Sequence, residues 1–131
     1  MKNLNTIREE VEAIRDELGK PVDPGIKELV IGLMANGITT DGSCEGHLKR
    51  KHPYPWVDVP YQEAEQVSHL VGMQNRPKLG DGSDNTNFWV IRPSGGLRII
   101  PQNQSLPIEE LQHMAEEFGL FLQHVFERDN Q

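Results

Sequence analysis

Apolar residues recur at spacings of three and four along four stretches of the chain, and this spacing is typical of amphipathic helices. The apolar positions are Leu4, Ile7, Val11, Ile14 and Leu18; then Ile26, Leu29, Val30, Leu33 and Met34; then Ala64, Val67, Leu70 and Val71; and finally Ile108, Leu111, Ala115, Phe118, Leu122 and Val125. We therefore predict four helices, each with one apolar face directed at the core.

Capping residues and helix breakers predict where the first two helices begin and end. Thr6, with Glu9 three positions later, has the spacing of a capping box at the start of the first helix, and Gly19-Lys20-Pro21 is expected to stop that helix. Asp23-Pro24 predicts an N-cap followed by a proline in the first helical position. Asn36-Gly37 is expected to end the second helix.

Four short segments have the composition or alternation of β-strands: residues 38–40, 56–59, 88–92 and 97–100. The first strand is expected to end in a turn at Asp41-Gly42-Ser43. Pro93-Ser94-Gly95-Gly96 predicts a hairpin that connects the last two strands. Residues 75–87 are rich in Gly, Asp and Asn and predict a long loop. The order of elements predicts one α+β domain over residues 1–131, a mostly antiparallel four-stranded sheet covered by about four helices.

The charge, cysteine content and hydropathy of the chain bear on its partners and its cellular compartment. Thirteen Lys and Arg against twenty Asp and Glu give a net charge of −7, so we do not expect nucleic acid as a partner. A single cysteine cannot form an internal disulfide, and the N-terminus lacks the apolar core of a signal peptide; both predict a cytoplasmic protein. No stretch approaches the ~20 apolar residues of a membrane span, so we expect no membrane partner.

The residue types that carry chemistry concentrate in one stretch, TTDGSCEGHLKRKHPYPW, residues 39–56. Cys44, His47 and His52 are thiolate and imidazole ligands that zinc prefers, and their close spacing lowers the entropy lost when a site closes. A tetrahedral zinc site needs a fourth ligand. Asp41, Asp58, His69 or a water molecule are the candidates for that position.

A second hypothesis makes Cys44 a nucleophile. Its thiolate would be activated by His47 or His52, and Gly42 and Gly46 would permit a tight turn whose backbone N–H groups face an oxyanion. Together with the zinc hypothesis, this leaves a metal-dependent or cysteine-dependent hydrolase or transferase as an open alternative.

A third hypothesis is recognition without catalysis, and the composition of the stretch favours it. Its hydrogen-bonding, charged and aromatic side chains are Ser43, Glu45, His47, Lys49, Arg50, Tyr54 and Trp56. Such a set orients a small polar or anionic, even nucleotide-like, ligand. Two further alternatives stay open: a purely structural turn with a buried cysteine, and a homodimer formed through the first or last helix.

The run LVIGLMANGITTDGSCEGH at residues 29–47, followed by YPWVDV, resembles a pattern in uncharacterised bacterial and phage proteins with an S-C-E-G-H motif. A more distant similarity is to the Tyw3 family of tRNA wybutosine-synthesising methyltransferases. Its T-T-S-S-C-x-G motif is matched by Thr39, Thr40, Ser43, Cys44 and Gly46. This resemblance implies a related α+β topology with a ligand site at the Ser-Cys turn. Methyl transfer does not carry over on five matching residues, and the chain departs from the family's pattern at His47, where that family has arginine.

Overall fold

The computed structural model describes residues 2–47, 53–78 and 87–130. Its elements are, in chain order, α1 (Leu4–Ala13), α2 (Pro24–Ala35), β1 (Gly42–Cys44), β2 (Trp56–Val59), α3 (Ala64–Asn75), β3 (Trp89–Pro93), β4 (Leu97–Pro101) and α4 (Ile108–Asp129), with 3-10 turns at Tyr61–Glu63 and Arg76–Lys78. The strands form one antiparallel sheet in the order β1-β2-β4-β3. The predicted α+β class is therefore confirmed. No helix in the described ranges is both long and apolar enough to cross a lipid bilayer.

The register of the strands gives the sheet an apolar face and a polar face. Val57 on β2 lies opposite Ile99 on β4, and Ile99 lies opposite Ile91 on β3. Val57 and Ile99 are fully buried in a core that also contains residues of all four helices. Because side chains alternate along a strand, the neighbouring cross-strand pair of Asp58 and Arg98 projects from the other face.

The predictions of a strand at residues 38–40 and of a turn at Asp41-Gly42-Ser43 are both wrong, because the first strand, β1, begins only at Gly42 and includes Ser43. Gly37 adopts a φ of +84°, and the N–H of Ile38 donates to the carbonyl of Leu33 at 3.0 Å. This is the hydrogen-bond pattern of a glycine-terminated helix. Thr39 N–H donates to a side-chain carboxylate at 2.8 Å. Ile38 therefore closes α2, and Thr39 bonds the carboxylate of Glu63 instead of pairing in the sheet.

Helix α1 is shorter than its apolar pattern predicts, and its cap is a different residue. Asn3 is the N-cap, and its Oδ1 accepts the N–H of Thr6 at 2.9 Å, in place of the predicted capping box. Beyond the helix, Asp16 Oδ1 accepts the N–H groups of Leu18 and Lys20, both at 2.8 Å. Such side-chain bonds compete with helical ones and hold a turn. Leu18 is consequently 80% exposed.

Helices α2 and α4 approach each other closely because glycines line their contact. A Cβ on Gly32 of α2 would lie 2.7 Å from the carbonyl oxygen of Gly119 on α4. The apolar faces of the first and last helices are used inside the chain, as the full burial of Val11 and Phe118 shows. A homodimer through these helices stays a prediction.

An ion pair between α1 and α2 is held in place by α4. Both guanidinium Nη atoms of Arg8 donate to the carboxylate of Glu28 at 2.9 Å. The buried Gln123 donates to Oε1 and to the backbone carbonyl of Glu28 at 3.2 and 3.1 Å. The hydrogen bonds from Arg8 are the main cause that lowers the pKa of Glu28 below its ordinary value of 4.5.

We expect the ion pair of Arg8 and Glu28 to make the unfolding free energy fall at acid pH. A carboxylate whose pKa is lower in the folded than in the unfolded protein stabilises the fold above the unfolded pKa, and this contribution is lost as pH falls through the folded pKa. We expect Glu28→Gln to flatten the decline in unfolding free energy below pH 4.5. Urea denaturation across that pH range measures it. Glu9→Gln, which removes an exposed carboxylate from the same helix as Arg8, should leave the decline as steep as in the parent protein.

Candidate functional site

The S-C-E-G-H segment leaves β1 at Cys44 and lies across the N-terminus of α2. The N–H of Glu45 donates to Oδ2 of Asp23 at 3.1 Å, and Oε1 of Glu45 accepts the N–H of Gly25 at 2.7 Å. From α4, Nε2 of Gln112 donates to the carbonyl of Glu45 at 3.2 Å. Three elements therefore fix the path of this segment.

Gly46 is the one residue of the segment whose backbone requires glycine. Its φ is +89°, which L side chains rarely adopt, and a Cβ would lie 2.8 Å from both Ile108 Cδ1 and the backbone carbon of Tyr54. In this conformation the N–H of Gly46 donates to Sγ of Cys44 at 3.4 Å. The glycine thus allows close packing and directs a backbone donor at the sulfur.

The segment brings Cys44 and His47 together with Asp23. One donor atom from each of these three residues lies within 4.8 Å of the other two. Nε2 of His47 is 3.4 Å from Oδ2 of Asp23. Thiolate, imidazole and carboxylate are all zinc ligands, so this group can hold a metal ion. We refer to Asp23, Cys44 and His47 as the DCH cluster.

Sequence reasoning missed Asp23 as a member of the cluster. It is 21 positions before Cys44 in the chain, and its position before a proline predicted an N-cap. Asp23 does occupy the N-cap position of α2, yet within the described residues its side chain makes no capping hydrogen bond. An N-cap aspartate whose carboxylate is used elsewhere is a signal that only coordinates reveal.

A positive charge lies near the cluster on the polar face of the sheet. Arg98 donates from Nε and Nη2 to the two carboxylate oxygens of Asp58 at 2.7 and 2.9 Å, and its guanidinium stacks 4.0 Å from the ring centroid of Trp56. The hydrogen bonds that Arg98 donates to Asp58 are the main cause that raises the pKa of Arg98, and Coulombic attraction to Asp58, Tyr54 and Cys44 adds to it.

Other residues singled out from the sequence do not join the cluster. Ser43 precedes Cys44 in β1, so strand alternation directs it to the other face of the sheet. Trp56 is the cross-strand partner of Cys44, and its ring stacks with Arg98. Both oxygens of Asp58 accept from Arg98, and Asp58 is not a member of the DCH cluster.

Several predicted residues lie outside the described ranges. They are Lys49, Arg50 and His52. Their proposed roles as anion-binding residues and as a zinc ligand stay predictions. Of the other two candidates for a fourth ligand, Asp41 and His69 are both exposed, and neither belongs to the DCH cluster that the described residues form.

A groove of about 490 Å³ lies beside the cluster, between the N-terminus of α2 and α4. Its ionisable lining residues are Glu28, Glu45, Glu109, Glu116 and His113. Glu28 is paired with Arg8, and the other three carboxylates give this groove a negative potential, which favours cations over anions. The described surface next to the segment therefore does not itself attract an anionic ligand.

Comparison with known proteins adds no relationship to this geometry. No protein-family model matches the chain, and no curated protein or solved structure is significantly similar to it.

Proposed function

We propose that this domain binds zinc through the DCH cluster and uses the fourth coordination position to bind a small polar or anionic ligand. The observation that carries the proposal is the convergence of a thiol, an imidazole and a carboxylate, from two separate segments, within 4.8 Å. The domain is then a metal-dependent binding protein.

The distances are compatible with tetrahedral zinc. Bond lengths of about 2.0 to 2.3 Å to oxygen, nitrogen and sulfur place neighbouring ligand atoms about 3.4 to 3.6 Å apart. The 3.4 Å between His47 Nε2 and Asp23 Oδ2 already has this value. The sulfur of Cys44 lies within 4.8 Å of both, so side-chain shifts of about 1 Å are sufficient.

The surroundings of the cluster support a zinc ion over a hard cation. A thiolate ligand selects zinc and similar soft ions over magnesium or calcium. The N–H of Gly46 supplies a hydrogen bond to the sulfur, and the N–H of Glu45 supplies one to the carboxylate of Asp23. Hydrogen bonds of this kind hold the metal-binding side chains in orientation at metal sites.

Exposure of the three side chains supports an accessible fourth position. Cys44 is 9% exposed, whereas the side chains of Asp23 and His47 are 33% and 38% exposed. The sulfur therefore lies at the inner end of the cluster, and the oxygen and nitrogen lie nearer to solvent. Three protein ligands with an exchangeable water are typical of zinc sites that bind or process a ligand. One thiolate and one carboxylate neutralise Zn²⁺, so the metal centre itself carries no net negative charge, although carboxylates line the adjacent groove. Coordination to zinc, and not the surrounding potential, would therefore hold an anionic ligand.

Titration of metal-free protein tests the proposal. We expect one equivalent of Zn²⁺ to bind, and one equivalent of Co²⁺ to give the visible bands of a four-coordinate ion with a thiolate-to-cobalt charge-transfer band in the near ultraviolet. The charge-transfer band is expected to be missing in Cys44→Ala. Mg²⁺ at the same concentration should not compete. A parent protein that shows no charge-transfer band with excess Co²⁺ contradicts the proposal.

A further inference from the structure

The start of α2 departs from ordinary N-cap chemistry. An aspartate at the N-cap normally accepts the backbone N–H of the second or third helical residue. Asp23 has the extended backbone of an N-cap, with φ −60° and ψ 139°, but within the described chain its side chain makes no such bond. Pro24 has no N–H, so Gly25 carries the first backbone donor of the helix.

Glu45, which is 20 residues further along the chain, supplies the missing acceptor. Its Oε1 accepts the N–H of Gly25 at 2.7 Å. The backbone N–H of Glu45 donates to Oδ2 of Asp23 at 3.1 Å. Glu45 thus bonds two residues at the start of α2: its side chain accepts from Gly25, as an N-cap side chain normally would, and its amide donates to the carboxylate of Asp23.

Close packing holds Glu45 in this position. A Cβ on Gly25 would lie 2.9 Å from both Cβ and Oε1 of Glu45, so only glycine allows the carboxylate to approach the helix end. Gln112 of α4 donates to the backbone carbonyl of Glu45 at 3.2 Å. The side chain, the amide and the carbonyl of one residue are all engaged.

We propose that Glu45 is a positioning residue of the zinc site. By capping α2 in place of Asp23, its carboxylate leaves the Asp23 carboxylate available to the metal, and its amide directs Asp23 Oδ2 toward His47. This inference rests on the proposed function. When the Glu45 carboxylate is absent, the Gly25 N–H is available to Asp23, which then turns away from Cys44 and His47 to cap its own helix.

Metal binding by Glu45 variants tests the inference. We expect Glu45→Ala to weaken Co²⁺ binding about 10- to 100-fold, the usual effect of losing an outer-shell partner, although no donor atom of the cluster is removed. Its visible bands should shift because Asp23 no longer binds, while the thiolate charge-transfer band remains. Glu45→Gln keeps an oxygen acceptor for Gly25 and is expected to bind within about threefold of the parent.

Two further variants separate positioning from charge and from misfolding. Glu109→Ala removes another carboxylate of the same groove and should leave both the affinity and the visible bands unchanged. Glu45→Asp keeps the charge but is one methylene too short to reach Gly25, so it should behave like Glu45→Ala. The inference is overturned if Glu45→Ala and Glu45→Asp bind Co²⁺ with the affinity and visible spectrum of the parent.

Hydrogen exchange in the metal-free protein distinguishes failure of this inference from failure of zinc binding. Because Glu45 and not Asp23 bonds Gly25, the amide of Gly25 should exchange as slowly in Asp23→Ala as in the parent. It should exchange faster in the Asp23→Ala/Glu45→Ala double variant, where neither acceptor is present. Acceleration already in Asp23→Ala would show that Asp23 is the cap, whatever the protein does with metal.

Discussion

Replacing Cys44 by serine is expected to weaken zinc binding by more than about 100-fold, since losing an outer-shell partner alone costs 10- to 100-fold and this change removes a ligand. The thiolate is the softest donor of the DCH cluster and the one that receives the Gly46 N–H. A serine hydroxyl stays protonated near neutral pH and is a poor ligand. Competition with a chromophoric chelator at fixed pH measures the affinity.

His47→Ala should have an effect of similar size, because it removes the imidazole that lies 3.4 Å from Asp23. The melting temperature of metal-free His47→Ala should stay near that of the parent protein, since the His47 side chain is 38% exposed. The matched control is His113→Ala, which removes an exposed imidazole that pairs with Glu117 on α4. If Cys44→Ser, His47→Ala and His113→Ala all bind zinc with equal affinity, the DCH cluster is not the binding site.

Gly119→Ala is expected to destabilise the fold by about 3 kcal/mol, at the upper end of the usual cost of overpacking. A Cβ at this position would overlap the backbone carbonyl group of Glu28 and would lie 2.5 Å from the nitrogen of Leu29. Backbone atoms cannot rotate away as a flexible side chain can. Helices α2 and α4 must therefore separate, and the apolar contacts around Phe118 and Leu29 are lost with that separation.

The matched control for this substitution is Gly72→Ala. Gly72 is also inside a helix, but a Cβ there would meet nothing within 4 Å. It should stabilise the protein by about 0.5 to 1 kcal/mol, because alanine loses less backbone entropy than glycine in a helix. Urea denaturation of both variants gives the comparison. If Gly119→Ala unfolds at the same urea concentration as Gly72→Ala, the close contact of α2 with α4 is wrong.

The contact between α2 and α4 affects the geometry of the DCH cluster as well as the stability of the fold. Helix α4 carries Gln112, which holds the carbonyl of Glu45, and α2 begins beside Asp23. Moving the two helices apart therefore changes the position of Asp23 relative to the S-C-E-G-H segment. We expect Gly119→Ala to weaken zinc binding as well, although it changes no residue of the DCH cluster.

Local sequence patterns predicted most of the secondary structure. The hairpin of β3 and β4 follows from two apolar strands around Ser94-Gly95-Gly96, and Gly95 has the positive φ, +73°, that such a turn requires. The predicted ends of α2 at Pro24 and Gly37 are also confirmed. These signals work because steric limits on proline and glycine act within a few residues.

Two of the wrong predictions, the strand at residues 38–40 and the length of α1, concern competition between local and distant partners. Residues 38–40 have strand composition, but the N–H of Ile38 is taken by the last turn of α2 and that of Thr39 by the carboxylate of Glu63. Ile14 and Leu18 continue the apolar spacing of α1, yet Asp16 holds a turn there. The spacing of apolar residues does not indicate which acceptor a given backbone N–H group will bond.

Local sequence patterns were sufficient to predict the α+β class, the end of α2 at Gly37, the hairpin turn at Gly95 and the proximity of Cys44 and His47, which are three positions apart in the chain. That Asp23 completes the DCH cluster and that Glu45 caps α2 in its place became evident only from the packing of the helices and strands. Contacts across 20 or more positions depend on how helices and strands pack. That packing follows from the summed burial of many apolar side chains, and no single motif encodes it.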